Sequence, residues 1–293
     1  MSNILITGDA GFVGREFRRQ LSNHNIVGVD IKNGLDARKF FATDDTKFDL
    51  VIHLAAIVGG RATIEGNPLS VASDLAIDSD LFQWALRTRP THTVYYSSSA
   101  AYPIALQAAG VTHPLVEDDI DLDDIRSPDL TYGIAKLTGE ILAKYAQQDG
   151  LNVHVFRPFS GYGADQDLDY PFPSFIHRGK TLANPFQIWG DGTQTRDFIH
   201  ISDIVSATLA AVKEDVQGPV NLGLGRATSF NDLAEMVASQ SGYSPDVQHM
   251  PAKPTGVHYR VCDPSKMLSF YTPKITLEEG IALALSKRIN HEQ

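Results

Sequence analysis

Tyr132-Gly133-Ile134-Ala135-Lys136 sets a phenol and an ammonium four residues apart, a spacing that brings both to one face of a helix. A free tyrosine, with a pKa of ~10, is a poor general base at neutral pH. A neighbouring ammonium stabilises the phenolate and lowers that pKa, so the pair is equipped to take a proton from a hydroxyl. Upstream, Tyr96-Ser97-Ser98-Ser99-Ala100-Ala101-Tyr102-Pro103 follows a strand-like run. A serine hydroxyl at the carboxyl end of a strand can donate to or accept from the same substrate oxygen. Neither signal is specific, since a Tyr and a Lys at this spacing occur on many helices and serine runs are mostly loops.

Gly8-Asp9-Ala10-Gly11-Phe12-Val13-Gly14 lies between a strand-like run and a helical one. Glycines there allow a tight turn and let the backbone approach a pyrophosphate at a helix N-terminus. Asp30 ends the second strand-like run, roughly 20 residues on, where a carboxylate accepts from ribose hydroxyls and repels a 2′-phosphate. This combination predicts NAD(H) as cofactor in preference to NADP(H).

The elements that must position these groups alternate along the first half. Asn3–Thr7, Ile26–Asp30, Leu50–Leu54, Thr93–Tyr96 and Val153–Phe156 read as strands. Phe12–Leu21, Pro68–Arg89 and Thr131–Gln148 read as helices. Strand–helix alternation of this kind predicts an α/β fold, a Rossmann-like doubly wound parallel sheet covered on both faces. Past Pro158, Gly, Pro and aromatic residues crowd the chain, and helices over Ser202–Val212 and Phe230–Ser241 mix with short strands. We expect an NAD-binding domain over 1–157, with later segments returning to it, and a smaller C-terminal α/β substrate lobe over 158–293.

Composition narrows the function. The formal net charge is −10 across 293 residues, with no basic run able to track a phosphate backbone, which argues against a nucleic-acid partner. No apolar stretch approaches the ~20 residues of a membrane helix. The single cysteine, Cys262, cannot form a disulfide within the chain. The strand-like run begins directly after Met1-Ser2 and leaves no signal peptide, so a cytoplasmic protein is expected.

The motifs quoted above are joined by others. They are Val51-Ile52-His53-Leu54-Ala55-Ala56, Arg157-Pro158-Phe159-Ser160-Gly161-Tyr162-Gly163, Gly190-Asp191-Gly192-Thr193-Gln194-Thr195-Arg196-Asp197-Phe198-Ile199-His200, Asn221-Leu222-Gly223 and Asp263-Pro264-Ser265-Lys266. Together they resemble the extended short-chain dehydrogenase/reductase superfamily, in its NAD-dependent nucleotide-sugar epimerase/dehydratase branch, over nearly the whole chain. The resemblance implies a catalytic set of Ser98, Tyr132 and Lys136, with Lys136 also holding the cofactor ribose. It places cofactor contacts at Gly8, Gly11, Phe12, Val13, Gly14, Asp30, Asp36, Ala37, Leu54, Ala55 and Ala56, and substrate contacts at Ser99, Ser160, Arg196 and Lys253. It implies a UDP-, GDP- or dTDP-linked sugar as substrate, no metal, and a homodimer built on helices 73–89 and 132–148 through positions such as Leu81, Leu137 and Ile141. The Gly59-Gly60-Arg61 loop resembles GDP-sugar members.

Members of this branch that dehydrate carry an acid pair after the serine. Decarboxylases carry a Glu, and 3,5-epimerases a Cys, at the second of those positions. Here the two positions are Ser99 and Ala100. The expected reaction is therefore 4-epimerisation through a transient 4-keto sugar. Two rivals stand: a 4-keto-sugar reductase with exchangeable cofactor, and a non-catalytic NAD-sensing regulator.

Overall fold

Alternation within the first strand sets the layers. In β1 (Asn3–Thr7) Ile4 and Ile6 face one side of the sheet and Leu5 the other, all three fully buried. A strand buried on both faces belongs to a sheet with helices on both sides. The computed structural model describes residues 1–57, 66, 69 and 72–287. In it β1 is followed by α1 (Phe12–Gln20), β2 (Asn25–Val29), α2 (Ala37–Thr43), β3 (Leu50–His53), α3 (Ala72–Thr88), β4 (His92–Tyr96), α4 (Leu130–Gln148) and β5 (Val153–Pro158). The sheet runs Val220–Leu222, β5, β4, β3, β1, β2, and every pairing is parallel.

Ile4 and Ile6 pack with Phe17 of α1 and with Val205 of the helix Ile201–Lys213. On the opposite face Leu5 joins Phe41 of α2, Trp84 of α3 and Ala143 of α4. The chain leaves β1 for β2 on one side and comes back to β3 on the other. That reversal opens a crevice at the carboxyl ends of β1 and β3, the place where doubly wound sheets bind ligands. This is the expected fold, with one strand more than the sequence reading listed: beyond residue 158, the helix Ile201–Lys213 and the strand Val220–Leu222 return to this sheet.

The rest of the second half surrounds an aromatic core of Tyr162, Phe172, Phe175, Phe186, Phe198 and Phe230. The helices Pro171–Lys180, Phe230–Gln240 and Leu277–Ser286 enclose it. The helix expected over 68–89 is described from Ala72 onward, and the Gly59-Gly60-Arg61 loop lies outside the described residues. Two positions expected on a subunit face lie inside the protomer instead. Leu81 points into the core beneath α3, and Leu137 is buried, lining a small cavity with Ala101, Pro103 and Ile120. Among the described residues no helix is long and apolar enough to cross a membrane.

Candidate active site

The glycine loop is built by close approach. Gly8 has φ +72° and a Cβ there would sit 2.8 Å from the carbonyl carbon of Leu54, while one at Gly14 would overlap the Gly8 carbonyl oxygen. The loop, the start of α1 and the end of β3 thus meet with no room for side chains. α1 begins at Phe12 with Gly11 as its cap and no side chain capping it, so its first N–H groups face the loop, as an anion requires. Phe12 and Val13 are half-buried against the sheet.

Asp30 is buried, with Oδ2 accepting from Ala10 N–H at 3.0 Å and Oδ1 from Lys32 N–H at 2.8 Å. Each oxygen keeps a lone pair for a hydroxyl. Beside it lies an open groove of about 510 Å³ lined by Asp9, Ala10, Arg15, Arg18, Gly28 and Asn33. Leu54 and Ala55 donate their N–H groups to Thr7 Oγ1 at 3.2 Å each, and with Ala56 they lie half-buried past the end of β3. Asp36 and Ala37 have local duties: Asp36 caps α2 by accepting from Arg38 N–H at 2.9 Å, and Ala37 is buried in the core.

α4 is fastened to the serine turn. Asp129 N–H donates to Ala100 O at 2.9 Å, and a Cβ on Gly133 would overlap that same carbonyl oxygen. Leu130, between them, takes φ +55°, a strained value for a branched residue. Ser98 stands just past β4, half-exposed, its Oγ accepting from Ala100 N–H at 3.1 Å. The contact with Ala100 therefore brings the first turns of α4, with Tyr132 and Lys136, to the carboxyl end of β4 beside Ser98. Lys136 Nζ lies 5.9 Å from the Tyr132 ring centroid and 5.3 Å from that of Tyr95. Ser99, expected to touch substrate, is buried at 5% exposure. It faces inward because the residues after Ser98 turn into a short 3-10 segment.

Sequence reasoning missed a polar network beneath this face. The hydroxyl of Thr7 receives the Leu54 and Ala55 N–H groups, so it donates to His53 Nδ1 at 2.9 Å. His53 then presents Nε2–H to Asp78 Oδ1 at 3.1 Å, and Tyr95 donates to Asp78 Oδ2 at 2.6 Å. Burial alone would raise the Asp78 pKa, but Lys136, His53 and Tyr95 outweigh it and hold the carboxyl below its usual range. Lys136 is the complement. Burial disfavours its charge, yet Asp78, Tyr132 and Asp74 more than compensate and raise its pKa. Asp74 is different: burial dominates and pushes it up to about 6, its Oδ1 accepting from Ile57 N–H at 2.6 Å while Oδ2 has no partner among the described residues. His53 sat in a motif already quoted, and Asp78 follows Asp74 by one helical turn, but nothing in a sequence marks two helix aspartates as buried.

From the second lobe, Tyr170 stands near enough to Tyr132 for their charges to interact, and burial foremost pushes its pKa up to about 12. Ser160 is half-buried on the strand Ser160–Tyr162. Arg196 donates to the carbonyls of Thr195, Val257 and Thr255 at 2.8, 2.9 and 3.1 Å, holding the 255–257 segment. Lys253 Nζ lies 5.5 Å from the Trp189 ring centroid. Of these four, Tyr170 interacts with Tyr132.

The family described as "NAD dependent epimerase/dehydratase family" matches residues 4–223. The chain is 28% identical to GDP-mannose 3,5-epimerase of Arabidopsis thaliana, over 96% of this chain and 80% of that one. It is also 28% identical to a Streptomyces dTDP-4-dehydro-6-deoxy-D-allose reductase, over 90% and 89%. Among solved structures, the UDP-glucuronic acid 4-epimerase from Bacillus cereus, in complex with UDP-glucuronic acid and NAD, matches with TM-score 0.80 and 26% identity. That match covers 95% of this chain and 96% of the other.

Proposed function

The chain belongs to the NAD-dependent epimerase/dehydratase family, and from that premise we propose that it is an NAD-dependent nucleotide-sugar 4-epimerase. One observation carries the choice of reaction. The two residues after Ser98 are Ser99 and Ala100, both buried and neither an acid or base at neutral pH, so the serine turn offers no extra proton carrier for elimination, decarboxylation or 3,5-epimerisation.

The residues present fit the dinucleotide. The loop at Gly8 and Gly14 leaves the space that side chains would fill, the uncapped start of α1 suits the pyrophosphate, and Asp30 retains lone pairs for ribose hydroxyls. NAD, when bound, supplies the hydride acceptor and donor. Tyr132 takes the proton of the sugar 4-hydroxyl as the 4-ketone forms and returns it after the sugar has turned over. Ser98 bonds the same oxygen. Lys136 keeps its charge beside Tyr132. Tyr170, Ser160, Arg196 and Lys253 contact the sugar and the diphosphate. We place the protein in the cytoplasm as a homodimer whose subunit face carries the exposed Ile134 and Tyr145 of α4 and Leu75 of α3, in place of the buried Leu81 and Leu137.

The test is incubation with UDP-, GDP- and dTDP-hexoses, followed by NMR of the sugar and absorbance of the cofactor. Inversion at C4 with no net NADH change is expected, and a Tyr132→Phe variant should lose roughly 10²–10⁴-fold in rate. Net consumption of reduced cofactor by a 4-keto sugar would replace this reading with a reductase.

A further inference from the structure

The geometry points to a transition-metal site formed by His92, His154 and Asp215, at the end of the sheet opposite the serine turn. His92 opens β4 and His154 is the second residue of β5. Asp215 sits in the turn between the helix Ile201–Lys213 and the strand Val220–Leu222, at φ +51°. One ligand atom from each converges within 4.8 Å of the others. His92 Nδ1 lies 3.1 Å from His154 Nε2, and His154 Nε2 lies 3.7 Å from Asp215 Oδ1.

Proton accounting shows why this is more than a chance cluster. His154 Nδ1 faces the Val216 carbonyl oxygen at 3.3 Å, so that nitrogen carries the hydrogen and Nε2 presents a lone pair. His92 Nδ1 accepts from the Asn152 amide at 3.2 Å, so it is the unprotonated nitrogen, with that amide on its lone pair. With the Asn152 amide turned aside, two imidazole lone pairs and a carboxylate come together in one place, an arrangement that a cation satisfies. Two nitrogens bound tetrahedrally to one ion at ~2.0–2.1 Å stand about 3.3 Å apart, close to the spacing found. The Val216 carbonyl also plays the part that an outer partner plays for a metal-bound histidine, fixing tautomer and ring orientation. Asp215, 59% exposed, has freedom to close its longer gap and leaves a solvent side for water as the fourth ligand. The Asn152 amide, which also donates to Asp215 Oδ1 at 2.9 Å, turns aside when the ion binds.

Two imidazoles and one carboxylate select Zn²⁺ or a similar first-row ion over Ca²⁺ or Mg²⁺. The site joins β4, β5 and the turn before the last sheet strand, so its effect is on stability. The experiment uses untagged full-length protein stripped with chelator and titrated with Zn²⁺ and Co²⁺. One equivalent should bind, with the visible band of tetrahedral Co²⁺ and a rise of a few degrees in Tm. His92→Ala and Asp215→Asn should each weaken binding by at least about tenfold. Asp215 is exposed, so Asp215→Asn should keep the metal-free Tm, which separates loss of the site from loss of the fold. Absence of the Co²⁺ band, or binding unchanged in both variants, overturns the proposal.

Discussion

Asp74 and Asp78 lie one turn apart on α3 and burial acts on both, yet their pKa values move in opposite directions because of their neighbours. Asp78 has Lys136, His53 and Tyr95 to hold its charge, whereas Asp74 has one backbone N–H and the more weakly acting Lys136, and Asp78 itself opposes its ionisation. The consequence for stability has a definite sign. Asp74 is raised from an ordinary 3.8 to about 6, so between those values the folded state holds a proton that the unfolded chain has released. Its contribution is complete below pH ~4 and is lost as pH rises through 6, on the order of 3 kcal/mol for a shift of this size. Asp74→Asn keeps the shape and cannot ionise. Denaturant unfolding should find it equal to wild type at pH 4 and more stable by up to ~3 kcal/mol at pH 8; a difference that ignores pH would refute this account. Tyr95→Phe works the other way. It strips Asp78 Oδ2 of a hydroxyl donor in a fully buried place, and hydrogen bonds to charged groups contribute about 1.5–3 kcal/mol. A loss of that size is expected, and one below ~0.5 kcal/mol would mean that water has replaced the hydroxyl.

At the scale of elements, the register of α4 against the serine turn decides whether Tyr132 reaches Ser98. Gly133 touches backbone, the Ala100 carbonyl, which no rotamer change can relieve. Gly133→Ala brings about 1 kcal/mol of helix propensity, but it must push α4 off the turn. We expect a net loss of stability above ~1 kcal/mol and a fall in turnover with NAD still bound, read by kinetics and bound-cofactor absorbance on the same sample. Retained turnover would show that the helix contact does not set the site. This contact also marks how far the sequence could be read. The strands, α1, α4 and the glycine loop were legible because their apolar periodicity and glycine spacing are local properties. α2 was missed because its seven residues hold too few turns to show a period, and Val220–Leu222 because three residues do not identify a strand. Asp78, Tyr95 and His53 each read as ordinary residues, and only the packing of α3 on β3 and β4 makes them one network. The subunit face went wrong at Leu81 and Leu137 for a related reason: apolar spacing along a helix cannot say which of two neighbours will cover it.

For the whole molecule, the decisive feature is that the chain crosses between the lobes more than once. We expect the second lobe not to unfold alone, because the helix Ile201–Lys213 and the strand Val220–Leu222 belong to the first sheet. Buried Asp203 of that helix also accepts from Tyr271 Oη at 2.7 Å and from Lys274 and Ile275 N–H at 2.9 and 3.0 Å, which ties the C-terminal segment to it. Within the first lobe, Arg157, fully buried on β5, is paired with Glu140 at 2.6 Å and donates to Tyr102 and the Glu117 carbonyl. Removing one partner of such a buried pair costs about 3–5 kcal/mol, so the pair ties α4 firmly to β5. The chain has two tryptophans, and they report separately: Trp84 is fully buried in the first core, and Trp189 is half-buried in the second lobe. Trp84→Phe and Trp189→Phe variants each leave one fluorophore. With the differing stability of the two variants allowed for by circular dichroism on the same samples, each fluorescence transition should coincide with its own loss of helix. A Trp189 signal that changes at lower denaturant than the helix signal would show that the second lobe opens first, and the shared sheet would then not bind the lobes into one cooperative unit.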